Sequence, residues 1–226
     1  MKKFTIKPSR DIIQMSEFAS SAVGEYEVKV QVKAVSLNYR DILNRKYSVQ
    51  EIVPFSDGAG EVIAVGSKVT HLQVGDRVVG LFFPTWDTGA INQAINDVAR
   101  GGGSTDGMLA QEVVGHEDSF ITFPAHLSYE EASTLPCAGL TAWHGLFEHA
   151  QPAQPSQTVL IQGTGGVSIF ALQLAATKGI NTIVLSSSDE KLTRATEMGA
   201  THTINYCQTP DWDNEVLRLT EGKGLI

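Results

Sequence analysis

Apolar and polar residues follow two different rhythms along this chain, and the change comes near residue 127. Before it, short β-rich segments are punctuated by Gly and Pro. Glu27 to Val35 sets Val28, Val30 and Val32 against charged or polar neighbours, the alternation of a half-buried strand. Gly60 to Gly66 and Val74 to Gly80 predict further short strands, with Gly75 and Asp76 supplying turn chemistry. Short strands at this spacing predict a small barrel or sandwich. Between Pro84 and Leu109 runs a long polar stretch containing the glycine cluster Gly101 to Gly107. Such a segment is a lid, an insertion or disorder, and Ala90 to Arg100 within it can form a short helix.

After residue 127 helices and strands alternate. Ser128 and Glu131 have the spacing of a capping box. Pro136 can open a second helix running to about Ala150, since its missing N–H costs nothing in a first turn. An apolar strand follows at Thr158 to Gln162, then a glycine-rich turn and an apolar helix from about Val167 to Lys178, closed by Gly179. A strand at Thr182 to Leu185, a helix at Asp189 to Met198 stopped by Gly199, and a strand at Thr203 to Asn205 complete a β-α-β-α-β series. That series predicts the first half of a doubly wound parallel sheet. The pattern thus divides the chain into a β domain over 1–126 and half of a dinucleotide-binding domain over 127–226.

Composition narrows the function. The 226 residues carry 17 basic and 25 acidic side chains, a formal charge of −8. With no run of Lys or Arg, neither a nucleic-acid nor an anionic-membrane footprint is present. No apolar stretch approaches the roughly 18 residues that span a bilayer. The first residues hold two lysines but no apolar core behind them, so no signal peptide is expected. Two cysteines, Cys137 and Cys207, make neither a disulfide framework nor a cysteine-rich zinc site, and a reducing cytoplasm is expected.

The turn between the first strand and helix of the second half reads Gly163, Thr164, Gly165, Gly166, Val167, Ser168. Glycines allow a tight turn and close backbone approach, and the helix N-terminus offers free N–H groups to a pyrophosphate. A glycine turn without a ligand is the alternative. NAD sites place an acid about 20 residues on, at the end of the second strand, where it accepts from the ribose 2′-hydroxyl. Here that position reads Ser186, Ser187, Ser188, with Asp189 falling inside the next helix and Lys191 following. Hydroxyls and a lysine suit a 2′-phosphate, so NADPH is the expected cofactor. Ser188 or Asp189 can equally cap the helix, and the two roles are compatible.

Five stretches carry a resemblance: Val35-Ser-Leu-Asn-Tyr-Arg-Asp41, Asp57-Gly-Ala-Gly-Glu-Val62, Val74-Gly-Asp-Arg-Val78, Leu135-Pro-Cys-Ala-Gly-Leu-Thr-Ala-Trp143 and Gly163-Thr-Gly-Gly-Val167. In this order they resemble the medium-chain dehydrogenase/reductase superfamily, and its zinc-independent, quinone-oxidoreductase-like branch in particular. The resemblance implies an α/β chain, a GroES-like β domain followed by a Rossmann domain, with hydride chemistry in the cleft between them. Against that family's usual length the chain reads as C-terminally short, its Rossmann sheet incomplete and its strand at Thr158 to Gln162 left as an edge.

By motif, the family's catalytic zinc ligands fall on Asn38, on Ser56 with Asp57, and on Cys137. One thiolate and one carboxylate do not make a three-ligand open zinc site. The stretch that would hold a four-cysteine lobe, residues 84–110, has no cysteine. Gly115-His116-Glu117 has the letters of a zinc motif but not its place, and is expected to be a surface turn between strands. Zinc-less relatives imply Asn38 and Tyr47 as hydrogen-bond donors to the substrate oxygen; the local alternatives are a turn cap for Asn38 and packing for Tyr47. Thr141 matches a residue beside the nicotinamide and Tyr206 one near the adenosine phosphate, while Cys137 is expected to be a small buried side chain rather than a nucleophile. The expectation is an NADPH-dependent, zinc-independent reductase passing hydride to a quinone, enone or other carbonyl. Its partners would be the small substrate and, for a full-length chain, a second copy. The alternative is a non-catalytic protein keeping only the adenine-side half-site.

Overall fold

A computed structural model of the chain describes residues 1–7, 12–47, 50–148 and 151–225, the side chain of Tyr47 apart. It divides into two compact units, Met1–Cys137 and Ala138–Ile226.

In the first unit, β1 (Lys2–Ile6) pairs antiparallel with β2 (Ile13–Glu17). Next come β3 (Glu27–Ser36), α1 (Tyr39–Tyr47), β4 (Asp57–Val65), β5 (Arg77–Gly80), α2 (Gln93–Asp97), β6 (Glu112–His116), β7 (Phe120–Thr122) and α3 (Tyr129–Ser133). The five later strands form an antiparallel sheet in the order β6-β3-β4-β5-β7. Alternation along β3 buries Val28 and Val30 completely, and they close on Val62, Val78, Met108 and Phe120. Gly60 of β4 is glycine because a Cβ there would lie 2.3 Å from the Gln31 carbonyl oxygen. The capping box forms in full: Ser128 Oγ accepts the Glu131 N–H at 3.1 Å and Glu131 Oε2 accepts the Ser128 N–H at 2.8 Å.

The second unit holds α4 (Leu140–Phe147), β8 (Thr158–Gln162), α5 (Gly166–Thr177), β9 (Asn181–Ser186), α6 (Asp189–Glu197), β10 (His202–Asn205) and α7 (Trp212–Leu219). Its three strands are parallel in the order β10-β9-β8, the first half of a doubly wound sheet. Leu172 and Ala175 of α5 pack with Val159, Ile161 and Val184 of the sheet and Leu192 of α6. Both long helices end as their sequence predicts, α5 at Gly179 (φ 66°) and α6 at Gly199 (φ 101°).

Three features differ from the sequence pattern. The compact units divide at Cys137/Ala138 and not at 126/127, because α3 packs on β3 and β4 of the first unit. Residues Leu135–Gly139, with Pro136 among them, form a π-helical turn, and the α-helix starts only at Leu140. Its expected end at Ala150 lies outside the described residues. Gly115 and His116 are the end of β6 itself, and Glu117, which opens the turn into β7, is buried, its carboxylate accepting the Thr70 and His71 N–H groups at 2.9 and 3.0 Å. No helix among the described residues is long and apolar enough to cross a membrane.

Candidate functional site

In the first unit a polar cluster is buried where β3 passes into α1. Asn38 precedes the helix; its N–H donates to Asp41 Oδ2 at 2.7 Å, and its carbonyl accepts the Asp41 N–H at 3.0 Å. Asp57, fully buried at the start of β4, accepts the Ser56 hydroxyl at 2.9 Å on Oδ1 and the Cys137 N–H at 3.1 Å on Oδ2. The Asn38 side-chain amide faces this carboxylate and steadies its charge, yet Nδ2 stops short of a formed hydrogen bond. Asn38 Nδ2 and Asp41 Oδ1 are buried polar atoms without a partner among the described residues. Leu37, Tyr39, Ile42 and Leu43, close to Asn38 along the chain, are all exposed.

Burial dominates the electrostatics here. It pushes the Asp57 carboxyl above its ordinary value, against the opposing pull of Asn38, Ser56, the Cys137 N–H and Arg40. Asp41 is raised for the same reason. The Cys137 thiol is raised too, by burial first and then by the Asp57 charge, so it is held as a thiol and not as a nucleophilic thiolate. Arg40 is lowered by burial; its Nη1 donates to the Arg100 carbonyl at 2.8 Å and its guanidinium lies 4.4 Å from the Phe82 ring centroid.

These donors do not fit zinc. Both Asp57 oxygens already accept hydrogen bonds, Ser56 is fully buried, and an amide stands at Asn38. Among the described residues no group of three or more His, Cys, Asp or Glu is placed to hold a metal ion. His116 lies away from this cluster, pairing through Nδ1 with Asp118 at 3.2 Å.

The second unit offers a different kind of site. Gly163 turns with φ 93° at the end of β8, and Gly165 caps α5 in an extended conformation, with no side chain bonded to the helix end. Ile169 N–H is the first to bond back, to Gly165 O at 2.9 Å; the N–H groups of Gly166, Val167 and Ser168 have no acceptor among the described residues. The chain therefore presents free donors at the positive end of a helix, beside glycines whose added Cβ would meet open space at Gly163 and Gly165. This arrangement fits a dinucleotide pyrophosphate, with Gly163, Thr164, Gly165, Gly166 and Val167 around it.

At the end of β9 the three serines part company. Ser186 is buried, its Oγ accepting the Ser188 N–H at 3.3 Å, and Ser188 caps α6 by accepting the Lys191 N–H at 3.4 Å. Ser187 is exposed, and the Lys191 ammonium has no partner among the described residues. The nearby acid is engaged elsewhere: Asp189 accepts from Asn205 Nδ2 at 2.7 Å and Gln208 Nε2 at 2.8 Å. Tyr206 is exposed, and its N–H donates to Ser186 O at 3.1 Å, which sets it beside the serines. Thr141 is exposed on α4. Tyr47 is the last residue of α1, and its side chain lies outside the described residues. Sequence patterning did not single out Asp41 or Arg40; the only signal for Asp41 was its capping distance from Asn38.

Comparison with known proteins matches the two halves of the chain separately. A family model described as "Alcohol dehydrogenase GroES-like domain" matches residues 24–125, and one described as "Zinc-binding dehydrogenase" matches residues 166–225. The chain is 46% identical over 206 residues to a zinc-type alcohol dehydrogenase-like protein of Schizosaccharomyces pombe, covering 88% of this chain and 59% of that one. The crystal structure of a putative alcohol dehydrogenase from Sinorhizobium meliloti superposes with a TM-score of 0.88 at 39% identity, covering 100% of this chain and 69% of that one. The Escherichia coli quinone oxidoreductase solved in complex with NADPH superposes with a TM-score of 0.78 at 25% identity, covering 64% of that chain. The chain therefore spans about three fifths of its Schizosaccharomyces relative. With a GroES-like half and a dinucleotide-binding half matched in order, and a solved relative followed along the whole chain, this protein belongs to the medium-chain dehydrogenase/reductase superfamily.

Proposed function

We propose that this chain belongs to an NADPH-dependent oxidoreductase that reduces quinones, enones or related carbonyl compounds without zinc. The observation that carries the reading is Asn38, an uncharged amide facing Asp57 whose Nδ2 has no partner among the described residues, at the position where zinc members of the family place a ligand. Bound at the glycine turn, NADPH supplies the hydride. As hydride adds to the substrate, negative charge grows on its oxygen; Asn38 Nδ2, with the Tyr47 hydroxyl, donates hydrogen bonds to that oxygen. The exposed apolar side chains of Leu37, Tyr39, Ile42 and Leu43 suit a flat, apolar substrate. On the cofactor side, the free N–H groups of Gly166, Val167 and Ser168 hold the pyrophosphate, with Thr141 and Tyr206 as further contacts. Ser187 and Lys191 meet the 2′-phosphate, and Ser186 and Ser188 shape the loop that presents them.

Protein isolated from its native source tests this reading by single-turnover oxidation of NADPH with a simple quinone, alongside elemental analysis for zinc. Turnover at less than one zinc per ten chains is expected, with a loss of about 10²–10³ in rate for Asn38→Ala. Turnover that tracks bound zinc, or an unaltered rate in Asn38→Ala, refutes it.

A further inference from the structure

Among the described residues Arg100 is the largest fully buried side chain, 2% exposed. Among the described residues no carboxylate offsets its charge. Nε donates to the Leu81 carbonyl at 3.1 Å, Nη2 to the Ser119 carbonyl at 3.5 Å, and the guanidinium lies 5.1 Å from the Phe120 ring centroid. Nη1 has no acceptor among the described residues. Burial pushes the pKa of the guanidinium down to about 10, so it stays charged at neutral pH with much of its hydration lost. Carbonyl oxygens and one aromatic face are thin compensation for that loss.

Arg100 also lines a pocket of about 370 Å³ in the first unit, walled by Phe18, Pro84 and Val114, with Lys3 on its margin. One wall is the polar segment that the sequence marked as a lid or insertion, and it is tightly built. Arg100 N–H donates to Phe82 O at 2.9 Å, and a Cβ on Gly101 or Gly103 would lie 2.7 or 2.2 Å from the backbone of Phe55 or Asp97. Two acids share the lining, and both are engaged: Asp106 Oδ1 accepts the Val53 N–H at 2.9 Å, and Glu112 Oε2 accepts the Ser20 hydroxyl at 2.9 Å with Lys29 Nζ at 3.8 Å. Their charges disfavour a polyanion. We propose that this pocket is a second ligand site, which binds a small organic monocarboxylate with its carboxylate on Arg100 and its apolar body against Phe18, Pro84 and Val114. A bound carboxylate would give the buried guanidinium the charge-assisted partner it lacks, and the apolar walls would take up the rest of the molecule.

Calorimetric titration of the chain with benzoate, octanoate, benzamide and inorganic phosphate tests this. Benzoate and octanoate should saturate one site per chain, and benzamide and phosphate should bind at least tenfold more weakly. Arg100→Gln should lower benzoate affinity at least tenfold. Because losing a buried arginine can unfold a domain, Val114→Phe is the second variant: it keeps Arg100 and narrows the apolar wall from a half-buried position on β6. It should weaken octanoate by a similar factor. Absence of saturable carboxylate binding, benzamide or phosphate binding as tightly as benzoate, or unchanged affinity in Val114→Phe each overturns the proposal.

Discussion

The glycine turn can be tested by asking which of its glycines the free protein needs. Gly163 sits at φ 93°, where a side chain is strained. Gly165 has φ −82° and ψ −177°, ordinary extended backbone for any residue, and a Cβ on it would meet nothing within 4 Å. Alanine at 165 should therefore stabilise by about 0.4–1 kcal/mol through the unfolded chain. The poorer helix cap takes back a few tenths or more of that. The net effect is near zero, a shift in Tm of within about 2 °C for a chain of this size. Gly163→Ala, by contrast, should cost about 1–3 kcal/mol. If a pyrophosphate lies against the turn, the methyl of Gly165→Ala occupies its space and breaks at least one charge-assisted hydrogen bond, worth about 1.5–3 kcal/mol. That is roughly a 10- to 150-fold loss of NADPH affinity. Thermal unfolding and calorimetric titration of the two variants separate the effects. If Gly165→Ala binds NADPH as tightly as the unaltered chain does, the reasoning fails, and the turn is a glycine turn without a ligand.

Three further outcomes follow from the same geometry. Lys191→Ala should weaken NADPH about 10- to 150-fold and leave NADH unchanged, measured by titration with both; equal losses for the two would remove Lys191 from the 2′-phosphate. Burial raises the Asp57 pKa, so the folded chain keeps that proton to higher pH than the unfolded chain does. The contribution is full below about 4 and is lost as pH rises through the raised value, so stability relative to Asp57→Asn should fall from pH 4 toward neutrality in denaturant titrations, and a flat or rising difference would contradict it. Alkylation mapped by mass spectrometry should modify exposed Cys207 well before Cys137, whose thiol is raised by burial and by Asp57; faster labelling of Cys137 would show an activated thiolate.

How far the sequence foretells this molecule depends on whether local pattern and tertiary environment agree. They agree from β8 to β10: each apolar run is short, flanked by glycine or a capping serine, and buried on the sheet. The Ser128 capping box was legible because all its partners lie within four residues. They disagree at α1, where Tyr39, Ile42 and Leu43 have the spacing of an apolar helix stripe in the sequence yet are exposed in the fold. The strands β1, β2, β6 and β7 are three to five residues long, too short for a period of two to stand out. Burial of charge was illegible for a further reason. Nothing next to Arg100 in sequence distinguishes it from a surface residue, and the motif that holds Asp57 does not show its burial; Leu81, Ser119 and Cys137, which receive or satisfy them, are brought in from elsewhere in the chain.

The same contrast bears on the role proposed for the cluster at Asn38. Native proteins leave few buried polar atoms unpaired, and two of them here lie three residues apart, Asn38 Nδ2 and Asp41 Oδ1. Leaving such an atom unpaired costs about 1–3 kcal/mol, and the proposed contact with a substrate oxygen would give Asn38 Nδ2 a partner. The rest of the surroundings is over-determined: the Asn38 backbone is fixed at both its N–H and its carbonyl by Asp41, and its side chain faces a carboxylate that Ser56 and Cys137 hold in place. A donor fixed in this way needs little reorganisation to meet a charge that develops on a substrate, the condition under which a hydrogen bond lowers a barrier. On the proposed reading, this chain sets the neutral amide of Asn38 where zinc members of the family place a metal ligand, beside the buried carboxylates of Asp41 and Asp57.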